Sequence, residues 1–466
     1  MYSVNGHPGG APFTARDAPR EQPVRIEVTD DSTAGNHRRR PRHPRAEVLA
    51  PAPWTPAEAD GVRVTAVRTF LTGPQGCPYV VTRVETNQPG LYGLGDASDP
   101  QRPLATRAVL DEYLGPLLVG RDPADIEDLH RLLLNSGYWR GGSIEHNALA
   151  AVDLALWDLK GKVAGLPVHQ LLGGKARAWA EAYTHADGAD AAEVADKVLT
   201  AVGQGYRHVR VQVAVPGRDT YGTAPRDAAE AARRRTRTDR WDTLAYLRHV
   251  PAILADVRDR VGPDVELLHD AHERMTPAEA RQFVRAVEDA HLYFLEDALA
   301  PEDVAHFPEL RAAGTTPLAV GELYHDPRAY LPLLVGRSID FARIRIPTLG
   351  GLTPARKLVA VCEMFGVRTA PHGPGDVTPV GMAANMALNI SSPAFGVQEA
   401  ATFRDATLEV FPGAPVPTDG HLLAPEVPGL GIDFDERAAR RYPVGAPLEH
   451  DRWALLRATD GSVHRA

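Results

Sequence analysis

Polar and apolar residues first settle into a pattern after about residue 60. Val62–Val67 and Tyr79–Val84 alternate as half-buried strands do, and Gly90-Leu91-Tyr92-Gly93-Leu94-Gly95 follows a turn. Ala148, Ala151, Val152, Ala155, Leu156 and Leu159 then recur at the spacing of one buried helix face, with Gly165 and Pro167 predicting its end. These elements predict an α+β domain over residues 61–178, strands first and helices after. Residues 1–60 show no apolar periodicity and are rich in Pro, Gly, Asp and Arg, which predicts a disordered leader.

Beyond residue 178 the chain falls into a rhythm. Short apolar runs end in a polar residue at 265–270, 293–296 and 318–322, and the series continues at 341–346, 367–372 and 395–399. From Asp270 to Glu296 is 26 residues, and from Glu296 to Glu322 is again 26; Ile346, His372 and Glu399 follow after 24, 26 and 27. Residues 181–183 and 208–212 fit the same series, with 27 residues from Tyr183 to Arg210, and helical segments such as 277–287 and 354–365 lie between. Eight regular strand-and-helix units predict an α/β fold, a (β/α)8 barrel over residues 179–400. A doubly wound sheet fits less well, because Gly93 and Gly95 form a lone G-x-G with no third glycine in place. One interval breaks the beat. Arg210 to Asp270 is 60 residues, and the excess, about 213–243, predicts a lid on the active-site face of the barrel in preference to an oligomer contact. Residues 401–466 are expected to return to the first domain and complete it as a cap.

Composition narrows the function. Sixty Asp and Glu residues against 51 Lys and Arg give a net charge of -9, which disfavours nucleic acid or an anionic membrane as partner. The basic run from His37 to Arg45 is read as part of a solvated tail rather than a polyanion-binding arm. Two cysteines, Cys77 and Cys362, exclude a disulfide framework, and no stretch is long and apolar enough to span a bilayer. A cytoplasmic protein is expected. Lysine occurs at five positions, Lys160, Lys162, Lys175, Lys197 and Lys357, and none of them falls at a predicted strand end. A Schiff-base aldolase in this barrel therefore lacks its nucleophile.

The strand ends carry the candidate chemistry. Asp270, Glu296 and Glu322 close three successive strands, so their carboxylates converge on one mouth, where they cannot all stay ionised without a cation. Oxygen ligands on rigid elements favour a hard ion, Mg²⁺ before Mn²⁺. Arg210, Gln212, His272, Arg343, His372, Asp376 and Glu399 share the same mouth, and His185 joins them as a candidate substrate contact. A metal flanked by acid-base groups suits abstraction of a proton α to a carboxylate.

These residues lead to a family. The Asp-Glu-Glu series, the cap ahead of the barrel and the segment Ala151-Val152-Asp153-Leu154-Ala155-Leu156-Trp157-Asp158-Leu159-Lys160 resemble the enolase superfamily. Within it the chain is most similar to the mannonate dehydratase subgroup, through Gly137-Tyr138-Trp139-Arg140, Leu268-His269-Asp270-Ala271-His272, Val320-Gly321-Glu322, His372-Gly373 with Asp376, and Phe395-Gly396-Val397-Gln398-Glu399. The resemblance implies dehydration of an acid sugar, a mannonate- or gluconate-like aldonate, to a 2-keto-3-deoxy acid. It implies one Mg²⁺ on Asp270, Glu296 and Glu322. Tyr221 on the inserted loop would take the α-proton, aided by Arg210, and His272 would protonate the departing 3-hydroxyl. Gln212, Arg343, His372, Asp376, Glu399 and His185 would bind substrate. A homo-oligomer, dimer or octamer, is also implied.

The sequence departs from the family pattern in several places. The chain ends Gly461-Ser462-Val463-His464-Arg465-Ala466 without the usual Trp-containing tail, Cys77-Pro78 stands at the cap loop, and Glu273 replaces a common second histidine. Arg345 adds a charge on the sixth strand. A weakly active or non-catalytic sugar-acid binder, like the subgroup's starvation-sensing proteins, is therefore an alternative. A racemase or cycloisomerase is a second, although the Lys-x-Lys base pair of such enzymes reads Arg210-Val211-Gln212 here.

Overall fold

The computed structural model describes residues 61–213, 240–445 and 456–464. The predicted leader, most of the predicted lid and Tyr221 lie outside them.

The cap begins with an antiparallel sheet of β1 (Val64–Thr72), β2 (Tyr79–Thr86) and β3 (Tyr92–Asp96). The helix Ser143–Ala164 packs across it, buried along most of its length. That close approach is what the lone G-x-G serves. A Cβ on Gly93 would stand 1.9 Å from the Ala155 carbonyl oxygen, and one on Gly95 1.7 Å from that of Ala151. The pair is therefore a packing device, in keeping with the missing third glycine. Gly165, in the left-handed conformation at φ 68°, ends the helix.

The barrel strands are β4 (Trp179–Gly188), β5 (His208–Val213), β7 (Glu266–Asp270), β8 (Phe294–Glu296), β9 (Leu318–Val320), β10 (Phe341–Ala342), β11 (Arg368–Thr369) and β12 (Gln398–Glu399), with β6 (Arg240–Trp241) outside the ring. These eight run parallel in the order β12-β4-β5-β7-β8-β9-β10-β11. A parallel bridge from Thr369 to Phe395 joins β11 to the segment leading into β12. Tyr183, Leu268, Phe294, Ala319, Phe341, Ala370 and Val397 fill the interior as one apolar layer. Above that layer the lining turns polar, which is where a barrel of this kind holds its chemistry.

Several strands are shorter than their apolar runs suggest. The sixth stops at Ala342, ahead of a helical turn at Ile346–Leu349, and the seventh stops at Thr369. Pro371, two residues past the end of the seventh, has no N–H to extend a ladder. Glu322, Arg343, His372 and Asp376 thus sit on the turns leaving their strands rather than on the strands, and Glu322 follows a sharp bend at Gly321, φ 136°.

The C-terminal part is shared between barrel and cap. β13 (His421–Leu423) pairs antiparallel with β4. Leu430 N donates to Asp158 of the cap helix, and Thr72 Oγ1 donates to the Ala439 carbonyl. β14 (Arg457–Ala458) pairs with β6, and Trp241 of β6 carries the Arg274 guanidinium 4.8 Å from its ring centre. Among the described residues no helix is long and apolar enough to cross a membrane.

Candidate active site

Successive barrel units bring Asp270, Glu296 and Glu322 together, each offering an oxygen within 4.8 Å of the others. Asp270 ends β7 and Glu296 ends β8. The residues just after them, His272 (φ 49°), Glu273 (φ 50°) and Asp297 (φ 40°), are in the left-handed region, which non-glycine residues seldom occupy. Strain of this kind persists where surrounding structure over-determines it, and it often marks functional sites.

A charge network surrounds the triad. Arg210 Nη1 donates to Asp270 Oδ2 at 3.0 Å, and His272 Nε2 lies 2.8 Å from the same oxygen. Arg343 Nε donates to Glu296, its Nη2 to Glu399 Oε2 at 2.6 Å, and its Nη1 to the Ala370 carbonyl at 2.6 Å. Glu399 Oε1 also lies 2.8 Å from His185 Nε2. His372 Nε2 stands 3.3 Å from Glu322 Oε2.

Burial and neighbours divide these groups. Burial works against ionising Asp270, but His272 and Arg210 outweigh it and hold its carboxyl below the usual range. Burial, resisted by Arg343 but reinforced by the Asp270 charge, pushes Glu296 up to about 7. Glu322 rises well above the carboxylate range through burial and then the charges of Asp297 and Glu296. Asp297 does the same through burial and then Glu296 and Asp270. Burial holds the His272 imidazole down at about 4 despite Asp270, and keeps His372 well below its ordinary value. The guanidiniums of Arg210 and Arg343 thus hold Asp270 and Glu399 down but leave Glu296, Asp297 and Glu322 raised.

The donor set fits a divalent cation. Three carboxylates converge, and Glu296 Oε2 is buried with no protein partner. All the ligands are oxygens, which suits a hard ion such as Mg²⁺.

Next to the triad is a cavity of about 760 Å³, within the size range of small-molecule sites. His272, Glu322, His372 and Asp376 line it, as does Asp297. The other expected substrate contacts are placed differently. The sequence pattern puts Arg343 at the mouth, but it is 0% exposed, spends its donors on Glu296, Glu399 and Ala370, and does not line the cavity. It braces Glu296 of the triad. Glu399, Gln212 and His185 are likewise outside the described lining, with Glu399 tied to Arg343 and His185. The cap supplies wall residues that the pattern does not single out, among them Asp99, Ser143 and Asn147. No periodicity flags Asn147, which reads as one more position of a buried helix. Asp297 could have been found as the acidic neighbour of Glu296. No lysine lines the cavity among the described residues; Lys197 and Lys357 lie on outer helices, and Lys160 and Lys162 on the cap helix.

Comparison with known proteins decides the lineage. Residues 193–438 match the enolase C-terminal domain-like family, and residues 58–173 match the mandelate racemase / muconate lactonizing enzyme N-terminal domain. The chain belongs to the enolase superfamily. A D-galactonate dehydratase family member of Streptomyces sp. (strain SPB78) is 73% identical over 422 residues, covering 90% of this chain and 96% of the relative. One from Catenulispora acidiphila is 48% identical over 412 residues, covering 88% and 95%. An enolase from Pantoea ananatis, solved with bound D-gluconate and Mg, superposes with a TM-score of 0.81 at 41% identity, covering 87% of this chain and 100% of that one. The superfamily resemblance and the barrel with its cap are thus borne out, while the relatives carry a galactonate rather than a mannonate name.

Proposed function

We propose that this enolase-superfamily protein is an acid-sugar dehydratase, a hydro-lyase that removes water from a six-carbon aldonate to give a 2-keto-3-deoxy acid. The observation that carries the reading is the carboxylate triad, whose Glu322 lines, together with His272, the wall of a cavity of sugar-acid size. The D-gluconate and Mg bound by the Pantoea ananatis relative, and the galactonate dehydratase name of the others, support the substrate class. D-gluconate, D-galactonate and D-mannonate are the first substrates to test.

Asp270, Glu296 and Glu322 would hold Mg²⁺. Bound there, the cation supplies electrostatic stabilisation to the substrate carboxylate as its α-proton leaves. Tyr221 takes that proton. A phenol titrates near ~10, so it needs a cation beside it to act as base near neutrality, and Arg210 would be that cation. The C3–O bond then breaks as His272 delivers a proton to the leaving hydroxyl, water departs, and the enol relaxes to the keto acid. His272 must be protonated at that moment, which Asp270 at 2.8 Å favours and burial opposes, holding the imidazole at about 4 in the metal-free protein. His372 and Asp376 bind substrate hydroxyls, while Arg343, Glu399, Gln212 and His185 set the position of the groups in front of them. The wall placement of His372 and Asp376 supports this division.

The protein is expected to work as a homo-oligomer, a reading supported by Tyr138 and Trp139, which stand side by side at 86% and 87% exposure. The test of function is incubation with Mg²⁺ and a panel of five- and six-carbon aldonates. A 2-keto acid from at least one is expected. If none gives product and none exchanges its α-proton in D₂O, the proposal fails. Ligand-induced stabilisation in that case would turn the reading to a sugar-acid binder.

A further inference from the structure

Arg345 has no part in the chemistry just described, yet it is 7% exposed and lines the cavity wall. It follows β10 and precedes the helical turn Ile346–Leu349. Its guanidinium gathers acceptors from two parts of the molecule. Nη1 donates to Asn147 Oδ1 of the cap helix at 3.1 Å and to Thr348 Oγ1 of its own turn. Nη2 donates to the Ser98 carbonyl of the cap at 2.9 Å and lies 3.6 Å from Asp376 Oδ2.

Those cap partners are themselves fixed. Asn147 Nδ2 donates to the Ser143 carbonyl at 2.8 Å, and Ser98 N donates to Asp96 Oδ1 at 2.8 Å. Asp96 Oδ2 in turn accepts from Thr378 N at 3.1 Å, two residues beyond Asp376. The cap segment Asp96–Ser98 therefore grips the sixth-strand turn through Arg345 and the seventh-strand turn through Thr378. Asp376 stands between the two grips, and its Oδ1 is buried without a protein partner. A buried acceptor left open on a cavity wall invites a donor from a ligand.

We infer that Arg345 is a positioning residue: it latches the cap to the barrel wall and fixes the Asp376 carboxylate as an acceptor for the substrate's distal hydroxyls. This rests on the acid-sugar reading. A ligand whose carboxylate occupies the triad would place its remaining carbons in the adjoining cavity, whose wall includes Arg345, Asn147 and Asp376. Arginine suits the task, since its planar fork reaches several acceptors at once, whereas a lysine ammonium on a flexible stem holds no such plane. The adjacent guanidinium also opposes the burial that raises the Asp376 carboxyl.

The experiment has two arms, each on the full-length chain. Without substrate, hydrogen exchange is followed in a peptide spanning residues 96–101 in wild type and Arg345→Gln, with the Mg²⁺-induced rise in Tm confirming that the variant is folded. Exchange should quicken about tenfold in Arg345→Gln, the response expected when a buried hydrogen-bonded tie is lost. With Mg²⁺ and substrate, the variant should raise KM for six-carbon aldonates about tenfold while kcat changes less than about threefold, the mark of lost ground-state binding. A four-carbon aldonate, lacking the distal hydroxyls, should show no such rise. Arg345→Lys should fail to rescue, and Asn147→Ala should reproduce the defect without adding to it in the double variant. Unchanged exchange, rescue by lysine, or a KM rise independent of chain length would overturn the inference. Should wild type turn over no aldonate, the acid-sugar reading falls with the distal-hydroxyl role, and the exchange arm alone decides whether the latch exists.

Discussion

Replacing Glu322 with glutamine should reverse its effect on stability according to whether Mg²⁺ is present. The triad oxygens lie within 4.8 Å of one another. Two unit charges at that distance repel by about 3.5 kcal/mol at an effective dielectric constant of ~20. The metal-free protein does not bear that repulsion in full, because Glu322, raised well above the carboxylate range by burial and by Asp297, Glu296 and Asp270, escapes much of it by holding a proton. The amide introduced by Glu322→Gln imitates that neutral acid. In EDTA the variant should therefore match or exceed wild type in Tm. With Mg²⁺ at about 100 times its dissociation constant, wild type gains about 2.7 kcal/mol, and the variant, short of one ligand, gains little. Thermal unfolding with EDTA and across a Mg²⁺ titration measures both ends. A variant that keeps the wild-type Mg²⁺ response would refute Glu322 as a ligand. One that is clearly less stable than wild type in EDTA would refute the repulsion argument.

Tyr221→Phe should cost about 10²- to 10⁴-fold in kcat and abolish α-proton exchange in D₂O, the loss expected for a general base, with substrate binding by calorimetry retained. His272→Gln should separate the steps: exchange of the α-proton continues while keto acid formation, followed by a carbonyl-specific colour assay, is lost. Asp153→Asn concerns stability alone. Burial lifts Asp153 to about 7, although its Oδ2 accepts from Thr353 N at 2.9 Å. The native state thus keeps a proton that the unfolded chain releases, and wild type loses stability as pH rises from the unfolded value towards 7. The asparagine variant lacks this titration, so its advantage should grow by about 3 kcal/mol between about pH 5 and about pH 8. Parallel Tm profiles for the two proteins over that range would contradict it.

How far the site could be read from the chain depends on which residues carry a period. Asp270, Glu296 and Glu322 are legible because each terminates an apolar run one barrel unit after the last, and convergence at the mouth follows from the fold. Gly93 and Gly95 are legible as something other than a nucleotide turn, and the Ala151 and Ala155 carbonyls explain what they are for. Arg343 shows the limit of the pattern, because phase along a strand gives the side of the sheet and not the depth. The same register fits a group open to ligand and one sealed under Glu296 and Glu399. Asn147 and Ser98 are invisible for another reason. Their importance lies in contacts to Arg345, roughly 200 residues away and beyond, and no local pattern encodes a partner at that distance.

The seam between cap and barrel bears on how the site reads its substrate. It is crossed by directional, buried bonds: Thr353 N to Asp153, Trp157 Nε1 to Thr353 Oγ1 at 2.9 Å, Tyr79 OH to the Gly375 carbonyl at 2.7 Å, and the Arg345 fork. Gly351 is part of the same fit, since a Cβ there would lie 2.4 Å from Asp153 Oδ2, and its φ of 115° is one that a side chain strains. Sliding the cap would unpair several of these bonds at once, at about 1–3 kcal/mol for each buried group left unsatisfied. Such a seam is a fixed wall, suited to reading the shape of a substrate and unsuited to opening for it. A wall of this kind positions the ligand equally for proton abstraction and for loss of the hydroxyl, so loosening it should not favour one step over the other. A Gly351→Ala variant, which strains the seam at a distance from the reacting groups, should therefore lower Tm while leaving the ratio of α-proton exchange to dehydration unchanged. A shift in that ratio would show that the cap moves between the two steps after all.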